Sequence, residues 1–386
     1  MDYLYHEVDF SGAAFARYQA RQPGCGGLTP GALVFAEHLE AYAGQPLENI
    51  LRDLTGGAPP RAQNLGGPNV VALIHAAQLL AGADVRFELY GAHGADDAAA
   101  EMQAIIGQTP LAPAGYLELP GRSPLTLVLA DPQHDHGAGE RTFINLLGVA
   151  ADYGPEHLPD EFFAADVLYF GGTALTPRLH AALTDILRRG RERGALNIVA
   201  TVYDFFNERR APDKPWPLGS GPESYALIDL LICDAVEALR LSGQRNADDA
   251  LDYFLAAGVG GVVITSGPEP VYLAARGGPF LGRAPTRLPI SEAIRRELAA
   301  LERPPGDTTG CGDNFAGGVL YALLCQWQAQ GRADWDLAAA CAWGVCSGGL
   351  ACFYPGGVML ERAPGEKLAR VAAYHEAYLA QMADIR

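Results

Sequence analysis

From residue 64 onward, short and continuously apolar runs alternate with longer helix-periodic stretches, and this alternation constrains the fold more than any other feature. The runs 196–203, 230–233 and 261–267 show no polar–apolar alternation, as expected of strands covered on both faces. Further strands are predicted at 84–90 and 166–170, and helices at 70–80, 177–193 and 248–257. Strand and helix in turn predict an α/β chain, a three-layer arrangement with a mostly parallel central sheet and helices on both faces. Ser123–Ala130 and Arg141–Leu147 flank a polar loop with no helix between them. They read as an antiparallel pair, a small β lid on one edge of the main sheet. The expected organisation is a single domain over 1–386, with lid strands inserted at about 115–150. The N-terminal segment 1–63 is atypical: Gly- and Pro-rich at 22–31 and loop-like at 55–60, with helical character only near 35–42.

The chain carries 45 acidic against 28 basic residues over 386, a net charge of −17. Such an excess argues against nucleic acid as a partner, because backbone phosphates need a basic face. It leaves room for phosphate chemistry wherever positive potential is local, at a helix N-terminus or a divalent cation. The acidic start (Asp2, Glu7, Asp9) lacks the basic region of a signal peptide, and no apolar run approaches the ~20 residues of a membrane span. Seven cysteines without a Cys-x-x-Cys pair read as packing thiols of a reducing compartment. A cytoplasmic protein without structural zinc or membrane partner is expected.

The most informative segment runs from Gly306 to Leu324. Gly310 and Gly312 allow a tight turn directly before a helix with apolar residues at 315, 319, 320 and 323, so amides near 310–313 can converge on one anion. The helix dipole adds about half a positive charge there. Asp313 is unusual in such a place. A carboxylate repels a bound phosphate unless it serves to take a proton from an attacking hydroxyl; otherwise it is an ordinary helix-start residue. The segment alone leaves both readings open.

Asp307-Thr-Thr-Gly-Cys-Gly-Asp313 closely resembles the Asp-Thr-x-Gly-Ala-Gly-Asp signature of the ribokinase (PfkB) family of carbohydrate and nucleoside kinases, with Cys311 in place of the usual Ala. The resemblance implies a ribokinase-like fold, Asp313 as catalytic base, and Gly310, Cys311 and Gly312 as an anion hole for the transferring phosphoryl group. Other pieces follow in the family's order across about 64–358. Asn64-Leu-Gly-Gly-Pro-Asn69 resembles the substrate-contacting Gly-Gly turn, implicating Gly66, Gly67 and Asn69, although the family's Asn position is here Val71. Gly139-Glu-Arg-Thr142 resembles the lid strand, making Arg141 and Asn145 substrate candidates. Asp204-Phe-Phe-Asn-Glu-Arg209 with Trp216 is similar to the family's Asp-Pro-Asn-x-Arg…Trp stretch, with one residue inserted. Asp234-Ala-Val-Glu237 resembles the Asn-x-x-Glu whose Glu orders magnesium, with Asp234 replacing Asn; Thr265-Ser-Gly267 resembles the Thr-x-Gly where nucleotide contacts begin. On the resemblance, Thr265, Gly267, Asp234 and Asp307 serve the nucleotide and Glu237 the metal. ATP and Mg2+ are implied, with a monovalent cation such as K+, a small sugar or nucleoside acceptor, and a homodimer through the lid as further family habits.

Competing plans fail by absence. Lys214 and Lys367 are the only lysines, and neither lies in a P-loop. Val-Ala-Ile-Lys and His-Arg-Asp runs are missing, as is an early Gly-x-Gly-x-x-Gly. The rival from another class is a catalytically weak or inactive kinase-like protein that binds a sugar or nucleoside for regulation. It draws on Asn69 out of register, Asp234 for Asn, the Glu302–Gly306 stretch where a strand is expected, and the lack of a legible opening strand with a substrate-binding Asp in 1–63. Retention of Asp313 and its glycines favours the enzyme.

Overall fold

The computed structural model describes residues 1–22, 24–137, 139–301 and 308–384. In chain order the strands are β1 (Asp2–His6), β2 (Leu33–Phe35), β3 (Ala62–Asn64), β4 (Glu88–His93), β5 (Ala112–Glu118), β6 (Leu125–Asp131), β7 (Glu140–Leu146), β8 (Val167–Gly171), β9 (Leu196–Ala200), β10 (Leu230–Asp234), β11 (Gly261–Thr265), β12 (Val271–Ala275) and β13 (Arg283–Leu288). The chain divides into two compact units. One comprises residues 1–66, 92–103 and 118–150; the other comprises 67–91, 104–117 and 151–386.

The larger unit holds a six-stranded sheet in the order β13-β12-β11-β10-β9-β8. β8 to β11 run parallel and β12 and β13 antiparallel. Alternate residues of the parallel strands point to opposite faces, and both faces are apolar. Ile198, Leu230, Ile232 and Val263 join one buried cluster with Phe315, Val319, Leu337 and Cys346 of two long helices, Cys311–Gln330 and Leu337–Ala351. Val199, Leu231 and Val262 on the other face are fully buried as well. Helices therefore cover both sides, as the sequence pattern predicts. The stretch predicted as one helix over 177–193 is two, Pro177–Ala181 and Leu183–Glu192.

Small residues let these helices approach closely. A Cβ on Gly317 would sit 2.7 Å from the Ala72 carbonyl oxygen and from the His75 Cβ, both on the helix Pro68–Leu79. One on Gly348 would lie 2.9 Å from the Cys311 carbonyl oxygen.

The smaller unit corrects two expectations. β6 and β7 do pair antiparallel, but in a separate five-stranded sheet ordered β2-β7-β6-β1-β3 rather than on the edge of the main one. Their partners come from the segment 1–63, which also supplies the opening strand that its sequence does not display: β1 lies parallel to β6. One face of this sheet, with Tyr5, Leu127, Leu129 and Ile144, packs against Phe15, Leu39 and Ile50. Among the described residues no helix is long and apolar enough to cross a membrane.

Replacing Gly317 by Val must push apart two helices already at contact distance, and should destabilise the protein by about 1–3 kcal/mol in urea unfolding. Wild-type stability in that variant would refute this packing.

Candidate active site

In open α/β sheets ligands collect beyond the carboxyl ends of parallel strands. Here that edge presents Gly171 on β8, Thr201 just past β9, Asp234 on β10 and Thr265 on β11, with Asp234 and Thr265 in direct register. Asp234 caps the helix Ala235–Ser242. Its Oδ1 accepts from the Glu237 amide at 2.8 Å, and Glu237 Oε2 accepts in return from the Asp234 amide at 3.1 Å. This capping box satisfies two helix-end donors. Thr201 Oγ1 donates to the same Glu237 Oε2 at 2.7 Å, so Oε1 takes none of these donors. The family-like Glu237 is thus a rigid, 7% exposed carboxylate rather than a solvated first-turn acid.

Burial, reinforced by the neighbouring Asp234 charge and also by Asp313, pushes the Glu237 carboxyl up to about 7 against the pull of Thr201. Burial raises Asp234 too. Two raised carboxylates at one strand end form a site that a cation would relieve. Among the described residues no group of three His, Cys, Asp or Glu is arranged to hold a metal by itself. The donor set suits an ion carried in largely by other oxygen ligands, such as phosphates.

The predicted glycine turn before a helix is present. Gly310, with φ +75°, is the N-cap of the 20-residue helix Cys311–Gln330, and Asp313 lies in its first turn. A Cβ on Gly310 would come within 2.6 Å of the Gly357 Cα, so only glycine fits here. A Cβ on Gly312 would meet nothing within 4 Å, which leaves that face of the turn open. The Cys311 amide points back to the Thr308 carbonyl at 3.3 Å. Asp313 lies close enough to raise both Glu237 and the fully buried Tyr169 hydroxyl, secondary in each case to burial. The helix-start turn and the carboxylate pair are therefore one neighbourhood.

Asn314 holds this turn, and nothing in the sequence marks it beyond its place after Asp313. Its Nδ2 donates to the carbonyls of Gly310 and Gly357, each at 2.8 Å. Its Oδ1 accepts from the Tyr354 hydroxyl at 3.0 Å and lies 2.6 Å from His75 Nδ1. Because the amide orientation is fixed by two carbonyl acceptors, His75 must carry its proton on Nδ1. Burial, with Lys367 nearby, holds His75 neutral by lowering its pKa well below the usual range. Lys367 is itself buried, donates to Gln78 Oε1, and is pushed down to about 7 by burial.

Asn69 Oδ1 accepts from the Gly171 amide at 3.2 Å, fastening the helix Pro68–Leu79 to the end of β8. Gly67 is the N-cap of that helix, with φ +107°. Gly267 has φ +54°, and Thr265 Oγ1 lies 3.5 Å from the Cys233 carbonyl oxygen. Asp204 caps its own short helix by accepting from Asn207, and Trp216 Nε1 donates to Glu208 at 3.0 Å, so this stretch is tied up locally. Asp307, and the expected strand at 302–306, lie outside the described residues.

In the smaller unit, strand register produces a polar row that the sequence does not reveal. Asn145 faces Thr126, Thr126 faces Asp2 and Asp2 faces Asn64 across four strands, so their side chains share one face. Arg141 lies on the same face two pairs further along, opposite Ala130 and His6. A Cβ on Gly66 would fall 2.1 Å from Oδ2 of Asp2, so the approach of this carboxylate to the turn requires glycine.

Residues 63–361 match the family model described as pfkB family carbohydrate kinase, and the chain belongs to that family. Over 192 residues it is 30% identical to the aminoimidazole riboside kinase of Salmonella typhimurium, covering 48% of this chain and 53% of the relative. The chain thus spans about half the length of that curated relative. Solved structures share the ribokinase-like fold at low identity. Adenosine kinase from Sinorhizobium meliloti superposes with a TM-score of 0.65 at 18% identity, over 97% of this chain and 96% of the other. For adenosine kinase from Schistosoma mansoni the values are 0.67 and 14%, over 94% and 95%. Ribokinase from Thermotoga maritima gives 0.57 at 16%, over 83% and 92%.

The raised Glu237 carboxyl makes a pH prediction. Between its ordinary value of 4.5 and about 7 the native state binds the proton more tightly than the unfolded chain, so this group's contribution to stability falls as pH rises through that window. Glu237→Gln keeps the oxygen acceptor and removes the charge. Its melting temperature should exceed that of the wild type at pH 8, and the gap should close by pH 5. A gap independent of pH would contradict the assignment.

Proposed function

We propose that the protein is an ATP-dependent kinase that transfers the γ-phosphoryl group to a hydroxymethyl group of a sugar or nucleoside. The observation that carries this reading is Asp313 in the first turn of a 20-residue helix that a glycine turn opens, with Asp313 close enough to the buried Glu237, which Asp234 caps, to raise its carboxyl. Asp313 accepts the proton of the acceptor hydroxyl as its oxygen attacks phosphorus in line. The amides of Gly310, Cys311 and Gly312, reinforced by the helix dipole, stabilise charge growing on the equatorial oxygens. For this the Cys311 amide exchanges its long bond to Thr308 for the phosphoryl oxygen. Asn314 keeps the Gly310 carbonyl turned away from the anion by holding it as an acceptor.

Thr265, Gly267, Asp234 and Asp307 serve the nucleotide in this reading. Glu237 would hold magnesium, which supplies neutralisation of phosphate charge when bound. A solved relative of this fold is described as a putative ribokinase II of E. coli in complex with ATP and magnesium. The family resemblance of the sequence motifs further suggests a monovalent cation such as K+ and dimerisation through the lid strands at about 115–150.

For the acceptor, we assign Asp2, Gly66, Asn145 and Arg141 of the smaller unit. Adjacent acceptor and donor groups in one row, as Asp2 and Asn64 provide, suit neighbouring hydroxyls of a furanose ring. The name of the curated relative, a riboside kinase, supports a ribosyl acceptor.

Asp313→Asn removes the base and no backbone donor. Turnover should fall by about 10³-fold or more, while ATP affinity in calorimetry stays within about twofold. Near-normal turnover would overturn the role of Asp313. Glu237→Gln should raise the magnesium concentration needed for half-maximal rate; an unchanged titration would return Glu237 to a purely capping role.

A further inference from the structure

Cys311 has a neighbour that its place in the signature does not predict. Its Sγ lies 3.5 Å from Sγ of Cys352, a residue 41 positions away at the C-cap of the helix Leu337–Ala351. Both thiols are half-buried, whereas Cys233, Cys341 and Cys346 are buried in the core. The close contact follows from backbone packing: the Leu337–Ala351 helix presents Gly348 directly to the Cys311 carbonyl. The two sulfurs are thus held together by two helices rather than by flexible loops.

We propose that Cys311 and Cys352 form a covalent modification site, a reversible disulfide made by exchange with a low-molecular-weight disulfide such as oxidised glutathione, which switches off the anion-binding turn. The chemistry balances in two exchanges. One thiolate attacks the small disulfide, forming a mixed disulfide and releasing one small thiol; the second protein thiolate attacks that mixed disulfide and releases the other. Two protein thiols lose two protons and two electrons, and one small disulfide becomes two thiols. Half-burial of both sulfurs gives the small reagent access while their proximity favours the second step.

Closure must shorten the sulfur separation from 3.5 Å to about 2.05 Å. Cys311 is the first residue of its helix and sits between Gly310 and Gly312, so the softest dihedrals available for that movement are those of the turn itself. The strain has a second route. Tyr354, two residues beyond Cys352, donates to the Asn314 oxygen whose amide holds Gly310. Displacement of about 1 Å in a group that stabilises a transition state costs on the order of 10²-fold in rate. The site rests on the proposed kinase reading only for its consequence; the disulfide itself does not.

The test equilibrates the full-length protein with oxidised glutathione, maps disulfides by mass spectrometry of the alkylated digest, and measures acceptor-stimulated ADP formation before and after dithiothreitol. The expected result is a Cys311–Cys352 linked peptide, at least a tenfold loss of activity, and full recovery on reduction. Cys352→Ala should form no link, and without oxidant it should keep the activity of the reduced wild type. Glutathione adducts without the 311–352 link would overturn the proposal, as would a complete link with unchanged activity. A reduced wild type without kinase activity would count against the kinase reading, while the linked peptide would still decide the site.

Discussion

The side chain of Asn314 is the interaction on which the candidate site depends. A glycine turn at a helix start must find donors for its own carbonyls, and the Gly310 carbonyl is one of them. Asn314 accepts that task with one proton of its amide and ties down Gly357 with the other. Its oxygen is held by Tyr354 and a neutral, buried His75. Four partners on one amide fix the turn in a single geometry, and low polarity around His75 strengthens each bond. Removing any partner leaves a buried polar group unsatisfied, which makes the arrangement costly to disturb.

The same economy governs the carboxylates. Glu237 is placed by a capping box and by Thr201, bonds that any soluble helix start could make. What sets this one apart is the accumulation of like charge near a buried carboxyl, with Asp234 beside it and Asp313 across from it. Such crowding is unfavourable for an empty protein and favourable for one that receives a cation with its substrate. Asp234 in place of the family's Asn intensifies this effect.

Much of the larger unit was legible in the sequence because its signals are local. β9, β10 and β11 are continuously apolar, the helix after Gly312 is periodic, and the glycine turn before it needs no partner to be recognised. The smaller unit was not, for a physical reason. β1 reads Asp-Tyr-Leu-Tyr-His, a strand whose polar ends and aromatic centre fit no simple face pattern until β6 and β3 lie on either side. The row Asn64–Asp2–Thr126–Asn145 exists only through register between strands far apart in the chain. Asn314, Tyr354 and the Cys311–Cys352 contact are likewise products of tertiary packing. Asn69 stands in the glycine turn, and its side-chain oxygen anchors the end of β8 by accepting from the Gly171 amide.

The central claim is that the anion-binding turn and Asp313 form a working phosphotransfer centre rather than a retained binding surface. Measuring ADP formation from ATP and magnesium across a panel of ribosides and free sugars tests it most directly. A working centre gives magnesium-dependent release stimulated by at least one member of the panel, with a phosphorylated acceptor formed in equal amount. Acceptors that raise the melting temperature while none stimulates ADP formation would contradict it and favour a kinase-like binding protein.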